Sequence, residues 1–172
     1  MFKIGNTTVG SELPVVALKN VVLFPRIIIP LVVQRPKSIA SLEYALAKDG
    51  LLIFVAQKNL HDQATPGELY RVGTVGKIIA TNRLPDGAYK VDVEGLGRVQ
   101  ILDYIQEEPF FKARLEPINM QYRASVESEA LTRTVVEQFK KVTEVKIMPS
   151  VFPSLLFTLN QLKNPEQLVD LV

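Results

Sequence analysis

Residues 21–33 read VVLFPRIIIPLVV, an apolar run with one charge, Arg26, and two prolines, Pro25 and Pro30. A membrane helix needs roughly 20 unbroken apolar residues, and this run is shorter. Pro30 would also break a helix interior by removing an N–H and clashing with the preceding turn. The β-branched residues Val21, Val22, Ile27, Ile28, Ile29, Val32 and Val33 favour strands instead. The stretch therefore predicts two short strands with a turn at Pro25-Arg26. Pro30 marks an edge or a bulge, because proline cannot donate to a ladder. Neither strand alternates cleanly, so either both faces are covered or one apolar face is left open for a partner.

The surrounding chain has 172 residues, 47% hydrophobic and 22% charged. That suits one domain, or one domain plus a small second unit, and allows a real core. Net charge is +2, and Lys140-Lys141 is the only adjacent basic pair, which argues against the dense basic patch of a nucleic-acid binder. Cysteine is absent, excluding disulfides and thiolate metal sites and fitting a reducing compartment. The first residues, MFKIGNTTVGSEL, lack the apolar core and cleavage site of a signal peptide. A cytoplasmic location is expected, with no membrane partner.

Outward from the run, residues 13–18 predict a strand. Arg35-Pro36-Lys37-Ser38 opens a helix, with proline tolerated in its first turn. Ile39, Leu42, Ala45 and Leu46 share one helical face, and Asp49-Gly50 ends it. LLIFVA (51–56) predicts a buried strand and 57–68 a polar loop. Residues 69–84 and 88–94 form a hairpin across Leu84-Pro85-Asp86-Gly87: Pro presets φ, Asp bonds its local backbone and Gly accepts positive φ. Residues 97–105 and 110–118 add two strands, with Gly95-Leu96-Gly97 read as a turn. Residues 1–118 thus predict a mostly antiparallel β-barrel or curled sheet with one helix.

From 119 to 172 the pattern turns helical. Leu131, Val135, Phe139 and Val142 keep helical spacing, with Glu127 and Glu129 early and Lys140, Lys141 and Lys146 late, as the helix dipole favours. Pro149 stops this helix. Val151, Leu155, Leu156, Leu159 and Leu162 mark a second, and Asn164-Pro165-Glu166-Gln167 opens a third with capping chemistry. The third helix runs out after two turns, which are marginal alone, so a chain continuing past Val172 is expected. The fold class is α+β, a β domain over 1–118 and a small helical subdomain over 119–172.

No catalytic constellation emerges. Gly73-Thr74-Val75-Gly76-Lys77-Ile78 has the wrong spacing for a P-loop, and Ile78 cannot hold magnesium. Its glycines read better as close-packing or bulge positions in a strand. His61 is the lone histidine, in a polar loop, with no partner pattern for a triad or a zinc site. Glu107-Glu108 would point to opposite strand faces.

The ordered blocks ELPVVALKNVVLFPRIIIPLVVQRPKSIASLE, LYRVGTVGKIIATNRLPDGAYKVDVEGLGRVQI and FFKARLEPI, followed by EALTRTVVEQFKKV and NPEQLVDLV, resemble the N-terminal region of bacterial-type Lon proteases. The resemblance covers about residues 12 to 172. It departs at Arg26, where the family commonly has Gly or His after Phe-Pro, at Gln34, and in the TNRLPDG run.

The resemblance implies a PUA-like β domain followed by helices that selects and holds substrates for an ATP-dependent serine protease. The parent would be a homohexamer whose ATPase module, using ATP and Mg, and Ser-Lys protease domain lie further along. The chain itself is then expected to hold no catalytic residue, cofactor or metal. Its expected partners are unfolded, damaged or degron-bearing polypeptides, which share exposed apolar side chains rather than a sequence.

Candidate contacts are Phe24, Pro25, Ile27, Ile28 and Pro30, rimmed by Arg26, Arg35 and Lys37. Phe110 and Phe111 after Pro109 form a second group. Core packing alone also accounts for each apolar residue. Other readings are a stand-alone Lon-type adaptor, an assembly module carried by 125–172, and an RNA-binding PUA-like module, the last disfavoured by the lack of an aromatic-basic stripe.

Overall fold

The computed structural model describes residues 1–59, 61, 64–118 and 125–144. Backbone contacts divide the chain into two units, Met1–Ile118 and Asn119–Val172.

The first unit opens with a hairpin, β1 (Phe2–Ile4) against β2 (Thr7–Val9), turning at Gly5-Asn6 with Gly5 at φ 56°. The main sheet holds β3 (Glu12–Leu18), β4 (Ile28–Val33), β5 (Leu51–Ala56), β6 (Val72–Arg83), β7 (Tyr89–Gln106) and β8 (Lys112–Pro117). Their order is β4-β7-β6-β5-β3-β8, and β7 also pairs with β8, so the sheet curls back on itself. Every pairing is antiparallel except β3 with β5.

Two apolar cores explain the apolar runs. In β3 and β5, Val15, Ala17, Leu51, Ile53 and Val55 join one core with Val75, Val99 and Phe111. Their alternating neighbours Val16, Leu18, Leu52 and Phe54 join a second with Leu31, Val33, Val91 and Val93. Strands covered on both faces need apolar residues at every position. The second core is closed by α1 (Pro36–Leu46), through Leu42 and Ala45. Pro36 starts this helix, and Gly50 at φ 72° ends it, its N–H donating to the Ala45 carbonyl at 3.0 Å. Leu46, placed on the buried face by its spacing, is exposed.

The hairpin at 84–88 forms as its residues dictate. Gly87 takes φ 86°, and the Ala88 N–H donates to Asp86 Oδ1 at 3.1 Å. Gly73 and Gly76 are close-packing positions: a Cβ on Gly76 would meet the Phe54 ring at 2.6 Å.

Two expectations need correction, and one element, the β1–β2 hairpin, was not foreseen. Residues 21–27 form no strand, so only the second half of the apolar run pairs. Residues 95–97 are not a turn, because β7 runs unbroken from Tyr89 to Gln106, with a register shift where Gly95 and Gly97 oppose Gly76 and Val75. Both glycines admit close neighbours. A Cβ on Gly95 would lie 2.1 Å from the Phe24 carbonyl oxygen, and one on Gly97 2.5 Å from Ile4 Cγ2.

In the second unit, α2 (Val126–Glu144) begins after Ser125, whose Oγ accepts the Ser128 N–H at 3.1 Å. Glu127 and Glu129 occupy its first turn and Lys141 its last. Lys146, the stop at Pro149 and the two later helices lie outside the described residues. Among the described residues, no helix is long and apolar enough to cross a membrane.

Candidate functional site

The apolar run turns at Phe24-Pro25-Arg26-Ile27, where the Ile27 N–H meets the Phe24 carbonyl at 3.4 Å. Pro25 in second place and Arg26 at φ 65° in third match a type II turn. The turn lies across β7 at Gly95. The Arg26 N–H donates to the Gly95 carbonyl at 2.7 Å, and the Gly95 N–H to the Ile27 carbonyl at 2.9 Å. Just before it, Leu23 is buried, and its carbonyl accepts the Thr74 hydroxyl at 2.7 Å. Close approach at one glycine and one buried hydrogen bond thus seat the turn on the sheet.

β4 leaves this turn as an edge strand, paired among the described residues only with β7. In antiparallel ladders, hydrogen-bonded and non-hydrogen-bonded pairs alternate. Continuing the phase of the Gly95–Ile27 bond puts Pro30, opposite Asp92, at a non-bonded position. There β7 needs no donor from it, and the missing N–H falls on the outer edge. Pro30 therefore blunts that edge against strand addition.

The side chains of β4 do alternate. Leu31 and Val33 face the core, while Ile28 and Val32, 59% and 55% exposed, face outward with Pro30 between them. Opposite these three on β7 stand Glu94, Asp92 and Lys90. Phe24, 37% exposed, lies 5.9 Å from the Arg98 guanidinium, and Val21 and Val22 are exposed upstream. The result is an open apolar face with charged neighbours. It can offer contact to apolar side chains and holds no nucleophile.

Of the predicted contact residues, Phe24, Ile28 and Pro30 are exposed, Pro25 and Ile27 are half-buried, and Arg26 stands exposed at the turn. Val32 was missed, although it continues the two-residue spacing of Ile28 and Pro30. Arg35 is no rim residue: half-buried, it donates to Gln57 Oε1 at 2.5 Å and to the Ala17 carbonyl. Lys37 pairs with Glu108 at 2.6 Å and lies 4.7 Å over the Phe111 ring.

Phe110 and Phe111, proposed from sequence as a second exposed group, are instead 7% and 5% exposed. The Phe111 carbonyl accepts the Val15 N–H at 2.8 Å, drawing this segment into the sheet. Phe110 then packs on Tyr44 at 4.9 Å, and Phe111 meets the edge of Tyr104 at 5.9 Å.

The polar loop organises around Glu68. Its carboxylate accepts the Thr65 N–H at 2.9 Å, the Thr65 hydroxyl at 3.0 Å and the Asn59 amide at 2.7 Å, with His61 Nδ1 at 3.1 Å. The Thr65 backbone bond leads in holding its pKa down at about 2. Among the described residues, no group of three or more His, Cys, Asp or Glu could hold a metal ion.

A family model described as the ATP-dependent protease La (LON) substrate-binding domain matches residues 12–172. The Lon protease of Azospirillum brasilense is 39% identical over 164 residues, covering 95% of this chain and 20% of that protein. The Lon protease of Escherichia coli K12 is 37% identical over 162 residues, covering 94% and 20%. The chain thus spans about a fifth of the length of these relatives.

Among solved structures, the N-terminal domain of Mycobacterium avium complex Lon protease superposes with a TM-score of 0.67 at 20% identity, covering 92% of this chain and 80% of that one. A Lon N-terminal domain protein from Xanthomonas campestris gives 0.57 at 16% identity, covering 92% and 96%. At these identities the likeness is one of fold.

Proposed function

The chain belongs to the family of Lon substrate-binding domains, and from that membership we propose that it captures unfolded, damaged or degron-bearing polypeptides for ATP-dependent degradation. It does no chemistry of its own. On this reading ATP, magnesium and the serine-lysine dyad act elsewhere in a cytoplasmic homohexameric parent. The helical unit contributes to assembly, a role supported by the exposed Leu131 and Val135 of α2.

The observation that carries the reading is the outward face of β4 and its turn. Ile28, Val32 and Phe24 are apolar, exposed and held on a rigid strand and a seated turn. Unfolded chains present apolar side chains to such a surface. Because Pro30 blunts the edge, side-chain contact rather than strand addition supplies the affinity.

The test is binding of a permanently unfolded polypeptide to the chain and to a double variant, Ile28→Asp with Val32→Asp. Covering each side chain contributes about 1–2 kcal/mol, so affinity is expected to fall about tenfold or more. The variant should stay folded with a modestly lower melting temperature, since both residues are exposed but Asp disfavours strands and position 28 stands opposite Glu94. Unchanged affinity in the folded variant would remove this face from the proposal.

A further inference from the structure

Strand β6 changes neighbours along its length. Residues 74–77 lie between β7 and β5. β5 begins at Leu51, opposite Lys77. Beyond that point β6 runs on to Arg83 and, among the described residues, pairs only with β7. Residues 79–83 are exposed throughout.

The phase of the ladder fixes which backbone groups point outward here. The Leu84 N–H donates to the Ala88 carbonyl at 2.8 Å, so that pair is bonded. Bonded and non-bonded pairs alternate. Asn82 with Lys90 is therefore bonded, while Arg83 with Tyr89 and Thr81 with Val91 are not. The N–H and C=O groups of Thr81 and Arg83 thus point away from β7. Ile78, on the other side of the register shift before Ala80, fits the same phase. Its N–H donates away from β7, to the Gly50 carbonyl at 3.0 Å.

β4, β7 and β6 form one stretch of sheet with two outer edges. Proline and charged side chains commonly guard such edges. Pro30 does so on β4. Residues 79–83 of β6 contain no proline and one charge, Arg83. Its guanidinium lies 5.5 Å from the Tyr89 ring across the ladder, and the Tyr89 hydroxyl donates to Glu43 at 2.9 Å. The charge is drawn over β7, so the outer edge stays open.

We propose that this edge of β6 takes an extended polypeptide segment by strand addition. It offers a donor and an acceptor from every second residue, the complement of an extended backbone. Ala80, Thr81 and Asn82 beside it are small or polar, so the contact reads backbone rather than sequence. A second copy of this chain could pair in the same way, but one short strand pair falls far below the roughly 1,200 Å² that a stable interface buries. A polypeptide anchored by its side chains on β4 needs less, because it meets the edge at high effective concentration. One strand separates the two, a distance of about 10 Å. The inference rests on the polypeptide-binding reading and adds a substrate class to it, segments with free backbone N–H groups at alternate positions as opposed to proline-rich ones.

The test is residue-resolved hydrogen exchange on the whole chain, alone and with a saturating, permanently unfolded polypeptide. In the free chain the Thr81 and Arg83 amides should exchange faster than that of Asn82. On binding, their protection is expected to rise severalfold while Asn82 hardly changes. Thr81→Pro removes an outward donor and no bond to β7, so it should weaken binding about fivefold, the scale of one hydrogen bond. The exchange pattern is read on the native chain and decides the matter if that variant does not fold.

Unchanged exchange at Thr81 and Arg83 while the polypeptide binds would overturn the edge site and leave the polypeptide-binding reading standing. No binding at all would overturn both. Protection that grows with the concentration of the chain alone would overturn the assigned occupant in favour of a second copy.

Discussion

Arg26 sits at φ 65° because the turn over Gly95 demands a left-handed residue in its third place. A Cβ is disfavoured there by about 1–2 kcal/mol, partly offset by the extra chain entropy of glycine in the unfolded state. Arg26→Gly keeps both backbone bonds to Gly95 and is expected to stabilise the chain by about 1 kcal/mol, read from chemical denaturation. Destabilisation would mean that the arginine side chain holds the turn. The family's common Gly or His at this place was legible in the sequence as a departure at Arg26. Its cause was not, because the sign of φ there depends on a strand some seventy residues away.

Glu68 is the other residue with a sharp signature. Its carboxylate is held at about 2 against an ordinary 4.5, first by the Thr65 N–H and then by Asn59 and the Thr65 hydroxyl. A depressed folded pKa stabilises the loop above pH 4.5, and that contribution is lost as pH falls through about 2. Side-chain NMR titration should find Glu68 near 2, with Thr65→Val moving it upward. A midpoint in the ordinary carboxylate range would contradict the bonding described.

Between elements, the decisive contact is the Thr74 hydroxyl on the Leu23 carbonyl, buried and 2.7 Å long. It ties the unpaired residues before the turn to β6. Thr74→Val leaves that carbonyl unsatisfied, at a cost of about 1–3 kcal/mol. Hydrogen exchange at residues 21–27 should accelerate in this variant more than exchange in β5. Uniform loosening would show that the bond serves the sheet generally.

The elements differed in how far local chemistry fixed them. Pro36 and Gly50 bracket α1, and Pro85-Asp86-Gly87 turn the β6–β7 hairpin, through interactions within a few residues, so both were readable. Gly95-Leu96-Gly97 was misread because a glycine needed for close approach looks like a glycine needed for a turn. What distinguishes the two is the Phe24 carbonyl above Gly95. The first half of the apolar run has strand-forming residues but no partner strand, and Leu23 is its one fully buried side chain. Gly5-Asn6 was a usable hairpin signal that went unread.

For the whole molecule, one division explains the sequence around the site. β3 and β5 are covered on both faces, by the interior of the curled sheet and by α1 with β4. Strand β4 covers the core with Leu31 and Val33 and leaves Ile28 and Val32 outward. The open apolar face was thus one of two alternatives the sequence allowed, and only the placement of β4 at the sheet edge decides between them. The same placement separates Phe24 and Ile28 from Phe110 and Phe111, which the sequence could not tell apart by composition. On the proposed reading a single such face binds weakly, and six copies in a homohexameric parent would raise avidity without any new contact.

The most direct measurement is to titrate the isotopically labelled chain with a permanently unfolded polypeptide and map the amide shifts by NMR. Saturable shifts are expected, centred on Phe24, Ile28 and Val32 and on their neighbours Asp92 and Glu94 across the ladder. Absence of saturable shifts, or shifts confined to surfaces remote from residues 21–33, would contradict capture at this face.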